Sequence, residues 1–271
     1  MTTVELLNRK GATKGNLIPD AVLQMLNQGE IETVNLIEWS AIDHKQLINN
    51  VFPQLGLGAE VPQLINVLDG IDKPSVMKCV AAVGNYLSAY GIRNNNSEQL
   101  YSLFSTHKSD SIRCYACYII ALNNDLTLVE RLELARPLIA DANFGVREIV
   151  WMALRPELVK QLEEIIVYLQ RWTTDPDERI RRFITEVTRP KGVWTQTITA
   201  LKNNPELALP LLEALKSDES LYVQNSVANW LNDASKSQPE FVSSLCMRWA
   251  NDSNSKATQY IVKRAMRTLN K

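Results

Sequence analysis

The 271-residue chain has no uninterrupted apolar stretch near the roughly 18–20 residues that a membrane-spanning helix needs. Its opening Thr2-Thr3-Val4-Glu5-Leu6-Leu7 is short, carries an acid and lacks the apolar core of a secretory signal. The expectation is a cytoplasmic chain without membrane contact. Cysteine is sparse, with only Cys79, Cys114, Cys117 and Cys246, and in such a compartment these read as free thiols. Cys114-Tyr115-Ala116-Cys117 has CxxC spacing. A zinc site would need a second ligand pair, and the chain offers only His44, His107 and two isolated cysteines. A thioredoxin-like use would need a βαβ context that is missing. The thiols are therefore expected to pack on helix faces, with no metal and no cofactor.

Glycine is scarce (10 residues), while leucine, alanine, glutamate, asparagine and arginine are plentiful, which disfavours strands. No alternating apolar–polar run stands out. An excess of one charge sign is missing too: 29 basic residues face 30 acidic ones, for a formal net charge of −1. Bulk electrostatics therefore point to no partner, and nucleic-acid binding would require basic residues segregated onto one face. At 45% hydrophobic and 22% charged, the chain is globular in composition and long enough to bury a core without staples.

A recurring block fills most of the chain. It reads Pro74-Ser75-Val76-Met77-Lys78, Asp110-Ser111-Ile112-Arg113, Phe144-Gly145-Val146-Arg147, Asp177-Glu178-Arg179-Ile180-Arg181, Leu221-Tyr222-Val223-Gln224 and Gln259-Tyr260-Ile261-Val262-Lys263. The aligned apolar positions 76, 112, 146, 180, 223 and 261 recur every 34 to 43 residues, a spacing that fits two helices and two turns per unit. Helical periodicity follows each block. Ile112, Ala116, Ile119 and Ile120 share a face, as do Val146, Ile149, Val150 and Ala153, and Val223, Val227, Ala228 and Leu231. The expected fold is all-α, a right-handed solenoid of HEAT-like helix pairs with a concave groove. It is expected to form one domain over 1–271, with a helical cap at 1–70 and about six repeats over 71–271.

In such a solenoid the second helices line the groove, and their N-termini carry unpaired N–H groups that suit anions. Arg113, Arg147, Arg181 and Arg182 at those termini form an expected ladder of phosphate contacts. The wide interval after Ile180 contains Arg189-Pro190-Lys191-Gly192-Val193-Trp194, either a spacer loop or a functional insertion. In the cap, Arg9 to Lys14 reads as an exposed basic loop and Glu32 to Asp43 as an amphipathic helix. The last stretch holds Lys256, Lys263, Arg264, Arg267 and Lys271 and no acid. It suits either helix capping or phosphate contact.

The block Asp175 to Pro190, containing Glu186-Val187-Thr188-Arg189-Pro190 and ending near Trp194, resembles the DNA alkylation repair family of HEAT-like DNA glycosylases, the AlkC branch more closely than AlkD. Ser226 to Lys236 and Arg264 to Leu269 resemble the later repeats of that branch, so the likeness covers roughly 110–271. The resemblance implies a monomer that holds alkylated or distorted double-stranded DNA in its groove and excises a cationic N-alkylated purine such as 3-methyladenine. On matching positions it assigns Glu186 as the catalytic carboxylate and Trp151 and Trp194 as aromatic neighbours of the base. Arg181, Arg182, Arg189 and Lys191 become backbone contacts, joined by Arg113, Arg147, Lys263 and Arg264. Read from spacing alone, Glu186 could equally pair with Arg182 or Arg189, and Trp194 could simply pack.

One position departs from the pattern. Where the branch carries a second glutamate ahead of an Arg-Pro pair, Arg155-Pro156 here follows Trp151, and the nearest acid, Glu148, lies three residues earlier. Three function classes follow: a glycosylase acting through Glu186, a non-catalytic binder of damaged, bent or branched DNA, and a protein-interaction scaffold.

Overall fold

A computed structural model of the chain describes residue 6 and residues 8–192 and 194–270. Most of Thr2 to Leu7, together with Val193 and Lys271, lies outside the described residues. Helices and short 3-10 turns make up the regular structure, and no strand occurs among the described residues. Among the described residues no helix is long and apolar enough to cross a membrane. Contacts group the chain into two compact units, Met1–Leu154 and Arg155–Lys271.

The first unit contains α1 (Asp20–Asn27), α2 (Leu36–Ser40), α3 (His44–Val51), α4 (Val61–Asp69), α5 (Val76–Arg93), α6 (Ser97–Ser105), α7 (Asp110–Ala121), α8 (Leu128–Leu134) and α9 (Arg136–Ile139). Helix α10 (Phe144–Lys160) begins in this unit and ends in the next. The second unit contains α11 (Leu162–Leu169), α12 (Glu178–Val187), α13 (Thr199–Asn203), α14 (Leu209–Leu215), α15 (Leu221–Ala234), α16 (Pro239–Asp252) and α17 (Lys256–Ala265).

Successive second helices of the repeats pack on one another: α5 on α7 in the first unit, and α12 on α15 on α17 in the second. The expected apolar faces form these contacts. Ile112, Ala116, Ile119 and Ile120 are buried, as are Val223, Val227, Ala228 and Leu231, each large aliphatic chain contributing on the order of 1.5–3 kcal/mol. Residues 112, 146, 180 and 223 are all third in their helices, while Val76 opens α5 and Ile261 is sixth in α17. Close approach of α5 and α7 depends on Gly84, where an added Cβ would lie 2.5 Å from Tyr118 Cβ.

The cap differs from expectation. Within 32–43 only Leu36–Ser40 is helical. Upstream, Thr33 is drawn into a buried contact, its backbone N–H and hydroxyl donating to Asp110 at 3.1 and 2.5 Å. Asn35 then caps the short helix by accepting from Glu38 N–H at 2.9 Å. Glu38 is buried, and Arg9 reaches in to meet it at 2.9 and 2.7 Å. Arg9 is therefore pinned, because a buried carboxylate needs a cationic partner. Cys114 and Cys117 are fully buried, and burial pushes both thiols well above their ordinary pKa, as suits packing residues.

Candidate functional site

Helix α12 is strongly two-sided. Ile180, Phe183, Ile184 and Val187 enter the core, while Arg182 and Glu186, followed by Arg189 just beyond the helix, stand one turn apart on the other side. Glu186 is buried, at 3% exposure, and both carboxylate oxygens are engaged. Oε1 accepts from the Ser226 hydroxyl at 2.8 Å and lies 3.4 Å from Arg182, and Oε2 lies 3.2 Å from Arg189. Ser226 comes from α15, and the Thr185 hydroxyl lies 2.6 Å from its own. Arg189 continues to Asp233 through Nε at 3.0 Å, and Asp233 also takes Lys236 at 2.7 Å. Burial alone would lower the Arg189 pKa, but Glu186 and Asp233 hold it above the ordinary value.

The segment after α12 is fixed from below by Arg155. Its guanidinium donates to Val187 O at 3.1 Å and Gln196 O at 3.2 Å, and also to Arg189 O. Burial, reinforced by Arg189, pulls the Arg155 pKa down to about 10 against the pull of Glu186. Trp230 Nε1 donates to Thr188 O at 2.9 Å, and Ile198 N–H closes the loop on Pro190 O at 2.9 Å.

The same face extends over α15 and α17. The Arg182 guanidinium lies 4.5 Å from the Tyr222 ring centroid, and Arg264 lies 5.4 Å from that of Tyr260. The Tyr260 hydroxyl donates to Asn225 at 2.9 Å and Arg267 donates to Asn229 at 3.0 Å. The face thus combines arginines, tyrosines and carboxamides around a recessed carboxylate. Guanidiniums and rings of this kind bind phosphate and stack on bases.

Of the expected site residues, Glu186, Arg182 and Arg189 come together, and Arg264 joins them on the face through α17. Lys191 and Lys263 are exposed. Trp194 is 55% exposed in the turn after Gly192. Trp151 belongs to the first unit, where it is buried and its indole N–H donates to Glu148 at 2.9 Å.

The arginine ladder takes a different place from the expected one. Arg113 is 8% exposed, binds Asp141 through two bonds of 2.7 and 2.9 Å, pairs with Glu32, and donates to His107 O and Lys108 O at 2.8 and 3.3 Å. Arg181 does the same with Asp218 at 2.6 and 3.0 Å, and with Asp175 O and Pro176 O at 2.7 and 3.2 Å. Arg147 donates to Asp141 O and Ala142 O at 2.6 and 2.8 Å. In this structure Arg113 and Arg181 engage these acceptors inside the fold, bracing the turn ahead of their helices. The helix N-termini are likewise partly satisfied, with Ser75, Asp177 and Ser220 capping α5, α12 and α15.

Sequence reasoning did not reach Tyr222, Asn225, Asn229, Asp233 and Tyr260 as site residues. A signal existed: 222, 225, 226, 229 and 233 recur at helical spacing as a polar stripe opposite Val223, Val227, Trp230 and Leu231.

No family model matches the chain. The uncharacterized protein YhaZ of Bacillus subtilis is 46% identical over 90 residues, 33% of this chain and 25% of that relative. Among solved structures, the Pseudomonas fluorescens alkylpurine DNA glycosylase AlkC, bound to DNA containing an abasic-site analogue, superposes with a TM-score of 0.66 at 24% identity. The match covers 96% of this chain and 66% of that one, just under two thirds. AlkD2 from Streptococcus mutans matches at a TM-score of 0.57 and 23% identity over 77% of this chain and 96% of its own. The smu.31 protein from S. mutans UA159 gives 0.56 and 23% over 82% and 98%. The chain therefore has the all-helical HEAT-like repeat fold seen in AlkC and AlkD2.

Proposed function

We propose that this chain binds double-stranded DNA on the face of α12, α15 and α17 and hydrolyses the N-glycosidic bond of cationic N-alkylated purines such as 3-methyladenine. The observation that carries the reading is a buried, doubly ion-paired glutamate at the centre of a face of arginine, tyrosine and carboxamide, in a fold shared with alkylpurine glycosylases. The chemistry is economical. When the C1′–N bond breaks, its electron pair neutralises the positive purine, which departs as a neutral base without a general acid. The developing oxocarbenium-like sugar needs negative charge beside C1′ and a water molecule. Glu186 supplies the charge and accepts the proton that the attacking water loses. Arg182, Arg189 and Ser226 fix its orientation, while Arg182, Arg189, Lys191, Lys263, Arg264 and Arg267 contact phosphates.

A second reading, non-catalytic recognition of damaged or distorted duplexes, is favoured by one feature. Trp151 occupies the position where the resemblance calls for a second acid, and Glu148 is held by the Trp151 indole at 2.9 Å. Release of free base from N-methylated duplex DNA, followed by chromatography, separates the two. The glycosylase reading expects release by the wild type, cut by about 10²–10³-fold in Glu186→Gln with duplex binding retained. Binding without release by the wild type sinks it in favour of the second reading.

A further inference from the structure

Beside the Glu186 network, the second unit carries a cleft of about 240 Å³ whose lining includes Lys191, Thr197, Lys202, Asp233, Lys236 and Ser237. Three separate stretches of chain bring three lysines to the lining of this one small cleft. Asp233 is the acid among them, and its carboxylate is already occupied: Lys236 takes Oδ1 at 2.7 Å and Arg189 Nε takes Oδ2 at 3.0 Å. Lys191 and Lys202 are exposed, and their ammonium groups have no partner among the described residues. The walls are fixed. Ser237 Oγ donates to Lys202 O at 3.2 Å and Gln238 to Asn203 O at 3.0 Å. On the other side, Ile198 N–H holds Pro190 O at 2.9 Å and Arg155 holds the carbonyls of Arg189 and Gln196. Lysines gathered around one small cleft favour an anion there.

We infer that this cleft seats one phosphodiester of the DNA backbone, with Lys191 and Lys202 neutralising it and the Thr197 hydroxyl donating to it. The inference rests on the DNA-binding reading and adds a strand register to it. Asp233 ties Lys236 of the cleft to Arg189, and Arg189 ties it to Glu186, so a phosphate held here sets the position of the backbone relative to the carboxylate. Neither Lys202 nor Lys236 was evident in the sequence, because only the fold brings 191–197, 202 and 233–237 together.

The test uses the full chain and two probes. In the first arm, duplex affinity is measured against salt for the wild type, for Lys191→Ala/Lys202→Ala, and for Lys160→Ala as an exposed-lysine control. The expected result is a several-fold weaker complex for the double variant and a salt slope shallower by about 0.9, the share of one phosphate. The control should keep the wild-type slope. In the second arm, inorganic phosphate is titrated by ³¹P NMR, with binding to the wild type expected and lost in the double variant. An unchanged duplex slope overturns the inference, even when inorganic phosphate binds, since the cleft is then a free-phosphate site. If the wild type binds no duplex, the DNA reading fails and the backbone assignment falls with it. Loss of phosphate binding in the double variant then shows an anion site of another kind. Both lysines are exposed and unpartnered, and unchanged urea midpoints establish that the variants fold.

Discussion

The two oxygens of Glu186 are shared among partners of different origin. Arg182 and Arg189 lie one helical turn to either side, so their reach to Glu186 was legible from spacing alone. Ser226 and Asp233 lie 40 and 47 residues further on, and nothing local announces that α15 brings them to α12. A second buried titratable residue gives a measurable consequence. His44 Nδ1 shares a hydrogen bond of 2.6 Å with the Tyr115 hydroxyl, its Nε2 has no partner among the described residues, and burial lowers its pKa to about 4, outweighing Asp43. Between about pH 6.5 and pH 4 the unfolded chain takes up a proton that the folded chain refuses, so this residue reduces stability as pH falls through that window. Asp110, raised to about 6 mainly by burial, acts in the opposite sense, because its folded form binds the proton first. The difference between wild type and His44→Phe removes the Asp110 contribution. Urea unfolding should show that the stability gap separating wild type from His44→Phe moves by about 2–3 kcal/mol in favour of the variant between about pH 7 and pH 4.5. A constant gap would show that His44 titrates alike in both states.

Each second helix from α5 to α15 carries a side chain that turns back to carbonyls six and five residues earlier. Lys78 reaches Asp72 O and Lys73 O at 2.7 and 3.1 Å, and Gln224 reaches Asp218 O and Glu219 O at 2.8 and 3.3 Å. Arg113, Arg147 and Arg181 repeat the geometry. Recurrence at one repeat position was legible in the sequence; the direction of the side chain was not. Spacing along a helix does not distinguish an arginine facing outward from one folded back over its own turn, and a polar turn with bare carbonyls decides the matter. Removing Arg181 leaves Asp218, whose side chain is 5% exposed, without its cation. Arg181→Ala should therefore cost about 3–5 kcal/mol in urea unfolding. Arg181→Gln can remake the carbonyl bonds as Gln224 does, and should recover about 1 kcal/mol. Both variants, once folded, should bind duplex DNA as the wild type does. Loss of affinity in proportion to the lost charge would return Arg181 to the phosphate contacts.

Over the whole chain, near-neutrality hides an uneven division. Residues 1–154 contain 12 basic and 16 acidic side chains, and residues 155–271 contain 17 and 14. Acidic side chains are in excess in the first unit, while the unit holding Glu186 is positive. The helix-pair architecture was legible because a 34–43-residue apolar recurrence has few other physical solutions. The site was only half legible, because its tyrosines and carboxamides look like ordinary helix surface until three helices are stacked. Basic excess and the Tyr–Arg face coincide at Arg264 and Arg267, where the neighbouring guanidiniums raise the cost of charge. Burial and Arg264 both lower the Arg267 pKa, and a phosphate between the two arginines would relieve that repulsion. The most direct test of the interface is equilibrium binding of an unmodified duplex, near 0.1 M salt, by wild type and Arg264→Glu/Arg267→Glu. Affinity should fall at least about tenfold in a variant whose unfolding midpoint is unaltered. Unchanged affinity in that folded variant would move the DNA off the face around Glu186.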